Sequence, residues 1–196
     1  LAEMVATAGV ARYDWFPMIR GRLVAINGRA VAPDSFADER AKRLVEREFN
    51  LSHDARLPGH NKVVGGRWTA DEGDAVSVEE GLATTLGVKL GDRLRFDIAG
   101  QPREGRITSL RKVDWSSMRV NFFVMFPVAA MPDVPLSFIA AYRAPDGAAG
   151  IAFDNALSRE FPNITNVDVS ASIAQIQRVL DQVVRAVEFL FAFTLA

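Results

Sequence analysis

The chain has 196 residues, a formal net charge of −1, 49% hydrophobic and 24% charged side chains, and no cysteine. That is the composition of a folded protein long enough to bury a core. Without thiols there are no disulfides, thiolate metal sites or cysteine nucleophiles, and the mixed charge supplies no basic field to hold nucleic acid. A chain free of cysteine also suits an oxidising compartment. It starts at Leu1 with no basic segment followed by an apolar one, so the expectation is that something precedes it.

Residues 2–9 read as the last turns of a helix closed by Gly9. Residues 13–27 alternate around Phe16, Ile19, Leu23 and Ile26 and stop at Asn27-Gly28, a strong turn dipeptide, which predicts a strand. Residues 34–48 carry few apolar side chains among many charges, as a short solvated helix does, and run into Phe49-Asn50-Leu51. A turn follows at Leu57-Pro58-Gly59-His60-Asn61. Ser77, with Glu80 three residues on, reads as the N-cap of a second helix that Gly87 ends. Residues 93–99 and 105–113 alternate on either side of Gly100 and predict a hairpin, and 120–128 is a dense apolar run of strand character. Strand 136–143, helix 152–161 and strand 164–169 then make a βαβ unit. The start of the chain offers the helix and second strand of a similar unit, whose first strand would lie upstream of Leu1.

The C-terminal segment has the strongest periodicity. Ile173, Ile176, Val179, Leu180, Val183, Val184, Val187 and Leu190 fall on one stripe at steps of three and four, with Gln175, Arg178, Asp181, Gln182, Arg185 and Glu188 elsewhere. Beyond Glu188 the polar face disappears, as in a helix leaving water for lipid; the alternative is a core helix with a buried end.

The chemical motifs are mostly absent. There is no phosphate-binding Gly-x-x-x-x-Gly-Lys-Ser/Thr loop, no Gly-x-Ser-x-Gly elbow and no His-Glu-x-x-His. His53 and His60 read as surface histidines, and Asp71-Glu72-Gly73-Asp74 as a solvated turn. Ser109 and Lys112 have Ser-x-x-Lys spacing, but in a strand residues three apart diverge. Trp68, Trp115, Phe122, Phe123 and Phe126 read chiefly as core. The run 120–126 is apolar on both faces, so Trp115, Phe122, Phe123 and Phe126 are the candidate surface for a hydrophobic ligand or partner.

Several stretches taken in order carry a resemblance: Pro17-Met18-Ile19-Arg20-Gly21-Arg22-Leu23 with Asn27-Gly28, Arg47-Glu48-Phe49-Asn50-Leu51-Ser52, Gly66-Arg67-Trp68, Val76-Ser77-Val78-Glu79, Leu86-Gly87-Val88-Lys89-Leu90-Gly91-Asp92, and Arg111-Lys112-Val113-Asp114-Trp115 through Asn121-Phe122-Phe123. The chain resembles the large extracytoplasmic domain of YbbP-type permeases, a branch of the MacB/FtsX superfamily. The resemblance implies an α+β fold of two lobes. A porter-like βαβ lobe would be built from residues 1–31 and 136–172, with an inserted β-rich lobe at 32–135. A stalk helix with the start of a transmembrane segment would follow at 173–196, in which Ile176, Val179, Leu180, Val183 and Val187 are the coupling residues.

The resemblance further implies a domain on the periplasmic side of the bacterial inner membrane, driven by a cytoplasmic ABC ATPase and acting on a hydrophobic or amphipathic cargo with a periplasmic esterase or hydrolase as partner. It implies no catalysis and no cofactor. The rival reading is an FtsX-like domain that recruits and activates a periplasmic hydrolase, and another is a soluble hydrolase, for which Ser109, Ser116 and Ser117 lack an evident base.

Overall fold

The computed structural model describes residues 2–10, 13–169, 182, 183 and 185. The chain is a mixed α/β protein of two compact units, one holding Leu1–Val10 with Ala144–Ala196, the other Ala11–Arg143.

In chain order the strands of the larger unit are β1 (Tyr13–Ile26), β2 (Arg29–Ala30), β3 (Phe49–His53), β4 (Asn61–Gly66), β5 (Ala75–Glu79), β6 (Arg93–Ile98), β7 (Gln101–Val113), β8 (Val124–Phe126) and β9 (Ser137–Tyr142). Six of them close a ring: β1 pairs with β3, β3 with β8, β8 with β5, β5 with β7, β7 with β6, and β6 again with β1. The β3–β8 and β5–β7 pairs are parallel and the other four antiparallel. Closure leaves these strands few free edges, and a ring this narrow is filled by its own side chains.

Leu94, Phe96 and Ile98 of β6 point inward in alternation with exposed Arg93, Arg95 and Asp97, and join Ile19, Leu23, Leu51, Val78, Ile107 and Val124 in one apolar cluster. Helix α2 (Glu39–Val45) adds Leu44 and Val45 to that cluster, and α3 (Glu80–Leu86) adds Leu82 and Leu86. Both two-residue connections, Asn27-Gly28 and Ala99-Gly100, place both residues at positive φ, the backbone twist a tight hairpin needs. Gly21 is required by packing: a Cβ there would stand 2.7 Å from Leu51 Cδ1.

The smaller unit holds α1 (Ala2–Thr7) and α4 (Ala148–Glu160), with Val5, Gly150, Phe153 and Leu157 buried. Among the described residues no helix is long and apolar enough to cross a membrane. The expected stalk lies outside the described residues, apart from Gln182, Val183 and Arg185, which are helical and exposed.

Four expectations need correction. Ser77 is not a helix N-cap; it lies in the middle of β5, every residue of which is buried, and Glu79 caps α3 by accepting from the Leu82 amide at 2.7 Å. The apolar run 120–128 yields only the three-residue β8, because the backbone before it is bonded elsewhere. The Val120 amide donates to Asp14, the Val120 carbonyl accepts from His60, and the Phe122 and Phe123 carbonyls accept from Arg111 and the Glu79 amide. Residues 164–169 form no strand, β9 runs antiparallel to β1, and α4 begins four residues earlier than expected, at Ala148. His53 is buried and His60 half-buried, each with one ring nitrogen on a backbone carbonyl, Val128 O and Val120 O respectively.

Candidate functional site

Residues 114–123 run between β7 and β8 in the larger unit, and side chains from three strands fasten them. At the near end Asp114 folds over its own backbone, accepting from the Ser116 amide at 2.9 Å and the Ser116 hydroxyl at 2.6 Å. This Asx arrangement starts the 3-10 turn Trp115–Ser117. From β1, Asp14 accepts from Arg119 Nε at 3.1 Å and from the Val120 amide at 3.2 Å. Burial pushes the Asp14 carboxyl up, but the hydrogen bonds from Arg119 and Val120 and the charge of Arg119 outweigh it and hold it below the usual carboxylate range.

From β4, Asn61 donates to Asn121 Oδ1 at 3.0 Å. From β7 comes Arg111, which has no exposed surface. Its guanidinium donates to Ser77 Oγ at 2.9 Å, to Asn61 Oδ1 and to the Phe122 carbonyl at 3.0 Å. Burial pushes its pKa down to about 10, opposed by the Glu79 carboxylate, so it remains a cation at neutral pH. A buried charge persists only if its donors are satisfied, and here they go to Ser77 of β5, Asn61 of β4 and the loop carbonyl of Phe122. Ser109, whose Oγ donates to Ser77 Oγ at 2.7 Å, is buried in the same network while Lys112 is exposed, so the Ser-x-x-Lys pair never meets.

The fastened segment presents an aromatic ladder that runs from the core to the surface. Phe126 meets Phe96 edge-on at 6.4 Å between centroids, Phe96 meets Phe49 at 6.2 Å, Phe49 meets Phe123 at 6.5 Å, and Phe123 lies 4.6 Å from Trp115, which is 47% exposed. Edge-to-face contacts of this kind are favourable beyond the area they bury. Of the candidate surface residues, Trp115 and Phe123 meet at the outer end. Phe126 is core, and the buried Phe122 packs with Val120 and Met125 against Phe16, Met18 and Trp68.

Beside Trp115 and Phe123 the surface dips into a notch of about 220 Å³, lined also by Arg47, Glu48, Phe49, Asn50, Asn121 and Phe122. Sequence reasoning missed the Arg47–Asn50 side of this notch, although the run Arg47-Glu48-Phe49-Asn50 figured in the resemblance; nothing in its spacing announces that it faces Trp115. Among the described residues no group of three His, Asp or Glu side chains could hold a metal ion. A second, open hollow of about 710 Å³ lies in the smaller unit, lined by Met4, Thr7, Ala8, Ala149, Ala152 and Phe153 with Glu160 at its side.

No family model matches the chain. The uncharacterized ABC transporter permease YbbP of Escherichia coli (strain K12) is 36% identical to it over 176 residues, 90% of this chain and 21% of that protein. Nine-tenths of the chain is thus similar to about a fifth of the length of an ABC transporter permease. A solved domain of a candidate permease protein from Porphyromonas gingivalis superposes with a TM-score of 0.42 at 14% identity, covering 83% of this chain and 74% of that one. The resemblance to YbbP therefore rests on the sequence.

Proposed function

We propose that the chain is the extracytoplasmic domain of a bacterial inner-membrane ABC transporter permease, and that it passes motion driven by a cytoplasmic ABC ATPase to a hydrophobic or amphipathic substrate that is exported or extracted. The observation that supports this is the 36% identity to YbbP over 90% of the chain. In this reading residues 173–196 are the strut. A helix resists extension because its backbone hydrogen bonds run along its axis, so it hands on displacement from one side of a membrane to the other. Ile176, Val179, Leu180, Val183 and Val187 are its coupling stripe, of which Val183 stands 55% exposed.

The notch at Trp115 is the proposed contact point. Its volume of about 220 Å³ falls below the ~300–1,000 Å³ of sites that enclose a whole small molecule. It suits one apolar group, either a side chain of a periplasmic esterase or hydrolase or one end of an amphiphile, with Arg47, Glu48 and Asn50 on the rim to meet polar surroundings. No catalysis is assigned to the chain itself.

The test uses the full permease with its ATPase in proteoliposomes. Val183→Asp and Val187→Asp are expected to cut ATP-driven substrate movement at least ~10-fold while ATP hydrolysis continues. Unchanged transport in both variants would sink the coupling role. Loss of hydrolase activation with transport intact would turn the assignment toward a regulator of the FtsX kind.

A further inference from the structure

The notch beside Trp115 has a fixed floor and an uncommitted rim. Phe49 is 3% exposed and meets Phe96 and Phe123 edge-on, and Phe123 in turn lies 4.6 Å from Trp115. On the rim, Asn121 has committed its side chain to Asn61 and to the Asp114 and Arg119 carbonyls. Arg47, Glu48 and Asn50 are different. All three are exposed, and among the described residues their side chains make no hydrogen bond or ion pair. Arg93 and Arg95 share Glu104, and Arg119 holds Asp14; Arg47 and Glu48, consecutive and bordering one notch, hold nothing. The mouth of an apolar notch thus offers a cation, an anion and an amide in one short run of chain.

We propose that this notch takes a zwitterionic amphiphile, a lipid whose headgroup carries a phosphate and an ammonium. The phosphate meets Arg47, the ammonium meets Glu48, and the start of the apolar chain lies against Trp115, Phe49 and Phe123. This rests on the reading of the chain as a permease domain that handles an amphipathic substrate, and it names the headgroup of that substrate. Charge complementarity selects it. A planar guanidinium donates two parallel bonds to a phosphate, and a carboxylate accepts from an ammonium. An anionic headgroup would satisfy Arg47 but meet like charge at Glu48, a cationic one would do the reverse, and an uncharged one would leave both unmatched.

Size points the same way. A notch of about 220 Å³ is below the ~300–1,000 Å³ of sites that enclose a whole small molecule, so it grips one part of a larger one. Trp115 at its edge is 47% exposed, so a chain longer than the notch is deep can continue outward. A protein surface would have to bring separate side chains into register to match what one headgroup carries on contiguous atoms. The fixed floor leaves little to be ordered when the lipid enters.

Calorimetric titration of the chain with lipids below their micelle concentrations tests the proposal. Lauroyl lysophosphatidylethanolamine serves as the zwitterion, lauroyl lysophosphatidylglycerol as the anion and monolaurin as the uncharged form. The zwitterion is expected to bind at least ~3-fold tighter than either of the others, the size of effect that solvent-exposed charge pairs supply. Added salt is expected to shrink that advantage. Glu48→Gln is expected to reverse the order of zwitterion and anion. Arg47→Gln is expected to weaken both charged lipids and spare monolaurin, and Trp115→Ala to weaken all three. Both rim variants are at exposed positions, so their urea midpoints are expected to match wild type. Equal affinity for the three lipids, no binding of any, or preference of the wild type for the anion would overturn the proposal. So would free leucine binding as tightly as the zwitterionic lipid, which would name an amino acid instead. Transport by the full permease with its ATPase keeps the two readings apart. ATP-driven movement of an amphiphile that ignores headgroup charge and Glu48→Gln defeats the headgroup alone, whereas headgroup-selective binding without any ATP-driven movement defeats the transporter and leaves the site standing.

Discussion

Two regions of the larger unit treat polar and apolar groups in opposite ways. Around Arg111 a cation, two serines and an asparagine are buried and bonded to one another. On the β1–β9 ribbon, by contrast, Trp15 and Phe138 are exposed and stacked on each other. The first region satisfies its polar groups internally. The second leaves large apolar rings at the surface. Burial and bonding identify what holds the fold together, whereas exposed apolar rings contribute little to it.

The sharpest way to break this contrast is Arg111→Ala. It removes donors from Ser77 Oγ, Asn61 Oδ1 and the Phe122 carbonyl together. The expected cost is roughly 3–5 kcal/mol, the range for breaking a buried charged network on one side, read as a lower urea midpoint. A cost under ~1 kcal/mol would mean that the loop is held by its apolar contacts instead.

Asp14→Asn is expected to have a smaller effect, about 1–3 kcal/mol at neutral pH, since it weakens charge-assisted bonds from Arg119 and Val120. Its pH dependence is specific. The Asp14 carboxyl is held below its ordinary value in the folded chain, so its contribution is fully present above the unfolded carboxyl's pKa of about 3.9. That contribution fades as pH falls through the lower folded value. Denaturation of wild type and variant between pH 3 and 7 is therefore expected to show the gap closing only below about pH 4. A constant gap across that range would show that Asp14 does not act through its charge.

The smallest effect is expected on the ribbon. Trp15→Ala removes one stacked pair from an exposed face, worth ~0.5–1.5 kcal/mol. Thermal unfolding is expected to shift by a few degrees at most. A loss matching that of Arg111→Ala would place the ribbon among the structural elements and erase the contrast.

The elements with local signatures were legible in the sequence. Asn27-Gly28 and Gly100 announced their hairpins because positive φ at both central residues is a local requirement. The alternation of β6 announced an inward face, and Gly87 the end of α3. Ser77 misled because hydroxyls cap helices and also satisfy buried guanidiniums, and only the arrival of Arg111 from β7 decides between the two. Likewise Phe122 and Phe123 are chemically identical neighbours. One packs into a second apolar cluster and the other meets Trp115 at the surface.

The sequence by itself determined the similarity to the permease YbbP and the turns, because each depends on residue order or short-range backbone geometry. Only the tertiary structure decided that six strands close a ring, that Arg111 is buried against Ser77, Asn61 and the Phe122 carbonyl, that Arg47–Asn50 line a notch with Trp115, and that Trp15 stacks on Phe138. Each of these is a meeting of segments distant in the chain, where which partner arrives, and not what any residue prefers alone, sets the hydrogen bonds that remain to be made.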